Sequence, residues 1–327
     1  MVGGPMMYIR HGMGSRWKWL AFTFALFGAL AAFGIGNMVQ SNAVAEGFSH
    51  FNIPPWGTGV ALVFLVGLVT IGGIKRIAQV AMFCVPFMVV LYMLGAIAVI
   101  LWKIADVPSV LGTIVVNAFQ PAAAVGGFTG AAFKYAIRQG VARGVFSNEA
   151  GLGSASIAHA TARTDHPVRQ AFWGIAEVFV DTIVMCTATA LVILLTGVWT
   201  SGATGATLTI DGFSALFGIK IGSALVSFCM ILTAYDTNLA WCFYGETCSA
   251  YMLGHGRTVR YAYRLIWLPF VLIGAVITLE TVWGVADTLH GLMAVPNLIA
   301  LAVLAPVVVG LIRDFQSRFP NPDKSAR

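Results

Sequence analysis

Long apolar stretches decide what this chain can fold into. A helix that crosses a bilayer needs roughly 20 apolar residues, and eight stretches reach or approach that length. They are Trp17–Gln40, Gly57–Gly73, Val80–Trp102, Ala122–Ala160, Ala171–Trp199, Ile221–Leu253, Leu265–Thr281 and Leu289–Ile312. Continuous runs of this length favour helices over strands. The sequence therefore predicts an all-α polytopic membrane protein with about eight transmembrane helices.

The scarcity of charge leads to the same conclusion. Only 10% of the residues are charged and 58% are hydrophobic, whereas a soluble domain has about 25% charged residues. A surface with so few charges must be covered mostly by the lipid bilayer. Because no charged or Pro/Ser-rich linker divides the chain, we expect one transmembrane domain over residues 1–327, with a polar cytoplasmic tail at 313–327.

Basic residues between the spans predict the orientation in the membrane. With the N-terminus in the cytoplasm, fourteen of the 19 Lys and Arg residues fall in cytoplasmic segments, two fall outside and three lie within the long interrupted span. This asymmetry predicts a multi-pass protein of the plasma membrane, in bacteria the inner membrane, with both termini cytoplasmic. The net charge of +6 does not indicate nucleic-acid binding, because the basic residues form no soluble patch.

Motifs of several other function classes are absent from the sequence. The five cysteines form no C-x-x-C pair and lie in or beside apolar stretches, which favours packing over disulfides or zinc. No H-E-x-x-H, G-x-S-G or ATP-binding motif occurs, so we expect neither an enzyme nor a cofactor. A channel built from rings of like residues would show a repeat, and the chain has none.

The interrupted span, Ala122–Ala160, is too long for one straight crossing. Its middle holds four glycines and the polar run Phe146, Ser147, Asn148 and Glu149. Each glycine lowers helix stability by about 1 kcal/mol relative to alanine, so the sequence predicts local unwinding there. Unwound backbone at membrane depth must face protein or a watery cavity. The ends of two half-helices attract a carboxylate and a cation, and an amino acid carries both; the alternative is a flexible kink or re-entrant loop without a ligand.

Two further spans contain acidic residues. Glu177 and Asp181 are four residues apart and share one helix face. Either one of them is protonated, or both are hydrogen-bonded to neighbouring helices. Thr233, Asp236 and Thr237 offer hydroxyl and carboxylate oxygens, which suit Na⁺ or a proton relay.

Alternatives remain for these polar residues and for those of the first span. Asp236 could pair instead with an arginine of another helix, Arg138 or Arg143. Asn37 and Gln40, three residues apart, are typical of polar contacts between helices. Gln40 lies about 33 Å from Lys18 at 1.5 Å per residue, which places it near the outer interface unless the helix is long and tilted. Ser154 and His159 match no nucleophile elbow, and we expect them to be structural.

Several segments together resemble one transporter family. GVARGVFSNEAGLGSASIAHATARTDHPVRQ resembles the signature stretch of the alanine or glycine:cation symporters, also called sodium:alanine symporters. FGIGNMVQSNAV, FVDTIVMCTATALVILLTG, WCFYGE and WGVADTLHGLMAVPNLIAL resemble other segments of that family, in the same order. The resemblance implies two five-helix inverted repeats with the substrate at midplane, a long tilted first span, and symport of alanine or glycine with Na⁺. Sodium would be the only metal.

The resemblance also implies roles for particular residues. The residues expected to line the amino-acid site are Gln40, Phe146, Ser147 and Asn148. Thr233, Asp236 and Thr237 match the helix that supplies part of the sodium site.

The chain departs from the family pattern at its beginning and at two residues. Its first residues, MVGGPMMYIRHG, resemble an interior segment of the family, so we expect an N-terminally truncated fold without the first broken helix. Asp236 stands where relatives usually have serine, and Ser156 replaces a usual proline. Two functions follow as hypotheses: a sodium symporter for a small neutral amino acid, or a truncated, non-transporting protein that acts, if at all, as a partner-dependent half transporter.

Overall fold

The computed structural model describes residues 3–119 and 129–319, and all regular secondary structure in these residues is helical. The helices are α1 (Pro5–Gly12), α2 (Ser15–Ser49), α3 (Pro55–Thr70), α4 (Ile74–Trp102), α5 (Val107–Phe119), α6 (Thr129–Asn148), α7 (Ala155–His159), α8 (Pro167–Thr196), α9 (Gly205–Leu253), α10 (Arg257–Val276) and α11 (Leu279–Arg318). The prediction of an all-α protein is confirmed.

Within the described part of the chain, six helices are long and apolar enough to cross a membrane: α2, α4, α8, α9, α10 and α11. Helix α3 is apolar but shorter. These helices present large apolar side chains outward, with Phe83 and Trp173 among the most exposed, as a lipid-facing surface requires. The polytopic architecture is therefore confirmed. Residues 122–128, where the predicted interrupted span begins, and residues 320–327 of the predicted tail lie outside the described residues.

Several helix boundaries differ from the predicted ones. Helix α9 has 49 residues, with a kink at Gly218, where φ is 75°; only the part after this kink matches the predicted span. Helix α10 ends at Val276 because Ile277 and Thr278 are extended, and α11 begins at Leu279, ten residues before the predicted start. Apolar residues continue across these junctions, so hydropathy alone does not reveal the breaks. At its other end α11 continues to Arg318, into the predicted tail.

Helix α2 lies at the centre of the bundle and packs against α9, α10 and α11. It has 35 residues, about 52 Å at 1.5 Å per residue, which exceeds a hydrocarbon core of about 30 Å. The predicted long first span is thus confirmed. Its segment Phe33–Met38 is π-helical, and there Gly36 meets Trp241 of α9 so closely that an added Cβ would lie 1.9 Å from the tryptophan Cβ.

Buried polar groups fasten these central helices together. Asn37 is fully buried, and its Nδ2 donates to the Trp267 carbonyl at 2.9 Å, so its predicted role in helix contacts is confirmed. Glu246, also buried, accepts from Arg260 Nη1 at 3.0 Å and from Arg264 Nε at 2.6 Å. These contacts join α9 and α10 to each other and α10 to α2.

A second hydrophobic cluster forms where α4, α8 and the first part of α9 meet. Its buried members are Ala96, Val99, Ala188, Val192, Ile210, Phe213 and Val226. This cluster holds the three helices together at a distance from the centre formed by α2. The helices of the two clusters enclose the candidate site.

Candidate functional site

The interrupted span breaks in the last part of the region predicted to unwind, around Glu149, Gly151 and Gly153, whereas Gly140 and Gly144 lie inside α6. Helix α6 ends at Asn148 and α7 begins at Ala155. Between them Glu149 has a φ of 54° and Gly153 a φ of 89°, a left-handed conformation that glycine adopts without a steric penalty. Asn148 Oδ1 accepts from the Ala150 backbone N–H at 2.8 Å, which gives the first unwound residues a side-chain partner.

Contacts from two other helices hold this break in place. Glu149 accepts from Ser154 Oγ at 2.7 Å and from Trp241 Nε1 of α9 at 3.0 Å. Asn297 of α11 donates from Nδ2 to the Gly151 carbonyl at 2.8 Å. The unwound segment is therefore packed against α9 and α11, which is not the arrangement of a free flexible kink.

A cavity of about 600 Å³ lies beside the break, between α4, α6, α7, α8 and α9. We call it the polar cavity. Eight of the ten residues singled out in the sequence line it: Ser147, Asn148, Glu149, Glu177, Asp181, Thr233, Asp236 and Thr237. The fold thus brings together residues from three separate stretches of the sequence, and the cavity is large enough for a small amino acid and a cation.

The two carboxylates of α8 have different partners in this cavity. Asp181 accepts from Ser147 Oγ of α6 and, at 3.2 Å, from its neighbour Thr182. Glu177 lies 3.3 Å from His159 Nε2, and the other ring nitrogen of that histidine contacts Gln170. Of the two sequence interpretations of this pair, hydrogen bonding to neighbouring elements is the one the contacts match.

Asp236 has an unusual environment. Its Oδ1 is buried and has no hydrogen-bond partner among the described residues. The arginine alternative does not hold, because Arg143 pairs with Asp287 of α11 and Arg138 is exposed. A buried carboxylate oxygen without a donor is costly unless it is protonated or meets a cation. The hydroxyl-bearing Thr237 follows it in the cavity wall.

Two of the residues assigned by resemblance lie outside the polar cavity. Gln40 donates from Nε2 to the Ile35 carbonyl within α2 at 3.2 Å. Phe146 packs against α11, with its ring centroid 4.8 Å from that of Trp283 and 5.5 Å from that of His290. Their assignment to the substrate site stays a prediction.

The sequence analysis assigned no role in the site to three residues that line the polar cavity. His159 was expected to be structural, and Trp241 and Tyr244 of α9 were not singled out. The pairing of His159 with Glu177 depends on how α7 meets α8, which spacing along the chain does not reveal. The segment WCFYGE contains both aromatic residues, but nothing in it distinguishes cavity-lining from core aromatics.

Arg143 and Asp287 form an ion pair between α6 and α11, and the Arg143 guanidinium carbon lies 3.8 Å from the Trp283 ring centroid. We expect Arg143→Asp to impair the amino-acid uptake that the family resemblance implies, because α6 then loses its anchor just before Ser147. The double variant Arg143→Asp/Asp287→Arg should regain at least half of the parental uptake rate. Uptake of radiolabelled alanine by the single and the double variant measures this. A double variant as impaired as Arg143→Asp would contradict the assigned role of the ion pair.

Trp241 donates the hydrogen bond that joins α9 to Glu149. We expect Trp241→Phe to lower the free energy of unfolding by about 1–3 kcal/mol, because a buried carboxylate oxygen loses its donor. Thermal unfolding in detergent measures the change as a lower Tm. Trp173→Phe, at an exposed position of α8, is the matched control and should leave Tm unchanged. Equal Tm values for the two variants would argue against the assigned role.

Comparisons with known proteins identify the family of this chain. The model of the "Sodium:alanine symporter family" matches residues 1–326. An uncharacterized transporter of Haemophilus influenzae is 45% identical over 97% of this chain and 70% of its own length. The sodium/alanine symporter AgcS of Methanococcus maripaludis is 43% identical over 100% of this chain and 72% of its own length. A probable sodium/glutamine symporter of Bacillus subtilis is 37% identical over 96% of this chain and 64% of its own length. The chain belongs to the sodium:alanine symporter family.

Proposed function

We propose that the protein carries a small neutral amino acid, alanine or glycine, together with Na⁺ across the plasma membrane. The observation that supports this most is the position of the helix break. The break and four carboxylates from three elements line one cavity: Glu149, Glu177, Asp181 and Asp236. An amino acid brings one carboxylate and one ammonium group, and Na⁺ adds a second positive charge. Carboxylates in the cavity can bind the two positive charges.

In this proposal the side chain of Asn148 binds the substrate carboxylate. The carbonyl oxygen of the Asn148 side chain is engaged with Ala150, which leaves its amide nitrogen as the donor toward a carboxylate. The Ser147 hydroxyl donates to Asp181 and so holds that carboxylate beside the break. Asp181 is then close enough to α6 to receive the substrate ammonium group.

The cation is proposed to bind at α9. Asp236 supplies the carboxylate oxygen that lacks a donor, and Thr237 and Thr233 supply hydroxyl oxygens on the same wall. Hard cations prefer such oxygen ligands. Gln40 and Phe146 remain proposed substrate residues through the family resemblance, and α2 and α6 would have to move for their side chains to reach the polar cavity.

The proposed orientation follows the distribution of Lys and Arg, with both termini in the cytoplasm. The break and the start of α8 then lie toward the cytoplasm, whereas Lys103 and Lys220 lie toward the outside. The Na⁺ gradient supplies the energy for uptake.

Uptake by proteoliposomes tests the proposed function. The natural gene product, reconstituted with an inward Na⁺ gradient, should accumulate radiolabelled alanine above the outside concentration. Accumulation should disappear when a sodium ionophore dissipates the gradient, and unlabelled glycine should compete more effectively than glutamine. A monodisperse, folded protein that accumulates no more alanine than empty liposomes would overturn the proposal and favour a non-transporting protein.

A further inference from the structure

Two smaller cavities follow the polar cavity, and each shares lining residues with the next. A connecting cavity of about 180 Å³ shares Asp181 and Thr233 with it. A third cavity of about 290 Å³, which we call the Glu46 cavity, is lined by Glu46 and by the first residues of α9. The connecting cavity and the Glu46 cavity share Tyr92 and Met230. The three cavities therefore form a row, with Tyr92 and Met230 at the junction farthest from the helix break.

A hydrogen bond from α4 to α8 fixes Tyr92 at this junction. The Tyr92 hydroxyl lies 2.6 Å from Thr189 Oγ1, and Thr189 Oγ1 also donates to the Met185 carbonyl at 2.9 Å. Because a threonine hydroxyl has a single hydrogen, Tyr92 must be the donor to Thr189. The bond spans two helices that both line the row of cavities.

The Tyr92 ring rests against the second hydrophobic cluster. Its centroid lies 5.2 Å from that of Phe213, which is fully buried. Such close-packed surroundings leave little freedom for the ring while the hydroxyl stays bonded. Met230, the other shared residue, has an unbranched side chain that adapts to its neighbours. The fixed part of the junction is therefore Tyr92.

The acceptor of this bond is connected to the polar cavity through α8. The segment Phe179–Met185 is π-helical, and it contains both Asp181, which lines the polar cavity, and Met185, whose carbonyl holds Thr189. A residue that lines the polar cavity and the carbonyl that holds Thr189 thus lie on the same short segment of α8.

We propose that Tyr92, held by Thr189, closes the passage between the Glu46 cavity and the polar cavity, and that the amino acid passes when this bond breaks. The inference rests on the proposed transport function, because it assigns the row of cavities to the path of the substrate. Tyr92 acts here as a gating residue that lies outside the polar cavity.

Cys186 is a natural reporter for this closure. Cys186 lines the connecting cavity, beyond Tyr92 as seen from the Glu46 cavity. Cys229, Cys242 and Cys248 are buried. In a Cys84→Ser background, a membrane-impermeant methanethiosulfonate reagent applied to one face of proteoliposomes at a time measures access to Cys186. A further Cys186→Ser change gives the blank.

The expected result is faster labelling when the bond is lost. Tyr92→Phe and Thr189→Val should each raise the rate about fivefold, the effect of one ordinary hydrogen bond on an opening equilibrium. The rise should occur only from the face on which the Glu46 cavity opens. Thr189→Ser keeps the hydroxyl and should label at the parental rate. The two bond-removing variants test the same contact from both partners, so misfolding of one leaves the other as the test.

Two outcomes separate this inference from the proposed function. Unchanged labelling in both bond-removing variants, or equal labelling of Thr189→Ser and Thr189→Val, would overturn the gate even if Na⁺-driven uptake is intact. Faster labelling in a protein that shows no Na⁺-driven uptake would support the closure and overturn the symport. A parental Tm for each variant confirms that the fold is retained.

Discussion

Asp236→Asn is expected to raise the half-saturating Na⁺ concentration for alanine uptake at least tenfold. The buried Oδ1 of Asp236 has no donor among the described residues, so a bound cation is the partner that would offset its burial. An amide keeps the shape but removes the negative charge, and a tenfold loss corresponds to about 1.4 kcal/mol. Uptake rates measured over a range of Na⁺ concentrations give the value directly.

Two further variants distinguish a cation ligand from a structural carboxylate. Asp211→Asn changes an acidic residue at the other end of the same helix, before the kink at Gly218, and should leave the Na⁺ dependence unchanged. Asp236→Ser introduces the serine that the family resemblance implies at this position and should keep Na⁺-driven uptake with an altered Na⁺ and pH profile. Identical Na⁺ and pH profiles for the parent, Asp236→Asn and Asp236→Ser would remove Asp236 from the cation site.

Much of the fold follows from the sequence because membrane spans obey a length rule. Lipid-facing helices must be apolar for about 20 residues, so hydropathy locates them. Hydropathy does not locate the junction at Ile277 and Thr278, because two apolar helices meet there with only two extended residues between them. Hydropathy also does not predict helix α5, since its 13 residues are too few for a membrane span.

The sequence predicts those residues of the candidate site whose placement inside a membrane has a high free-energy cost. Glu149 and Asp236 stand out because carboxylates at membrane depth are rare without a role, and both line the polar cavity. Trp241 does not stand out, because its position depends on Gly36 of a helix about two hundred residues earlier in the chain, whose missing side chain lets the indole approach. Tyr92 is recognisable as a junction only when the cavities on either side of it are known.

Asn148→Ala is expected to weaken alanine binding about 100-fold. The variant loses the amide donor toward the substrate carboxylate, and a hydrogen bond to a charged group contributes about 1.5–3 kcal/mol. It also loses the acceptor for the Ala150 N–H, which shapes the break between α6 and α7. Equilibrium binding of tritiated alanine to the purified protein measures the change.

The matched variant Asn148→Asp separates these two contributions. Aspartate keeps an oxygen for the Ala150 N–H, so the break and the Tm should be preserved. It has no amide donor, and its charge repels a carboxylate, so alanine binding should be lost as fully as in Asn148→Ala. If Asn148→Asp binds alanine like the parent, or if Asn148→Ala keeps parental affinity, then Asn148 shapes the break without contacting the substrate, and the carboxylate must be bound by other groups of the polar cavity.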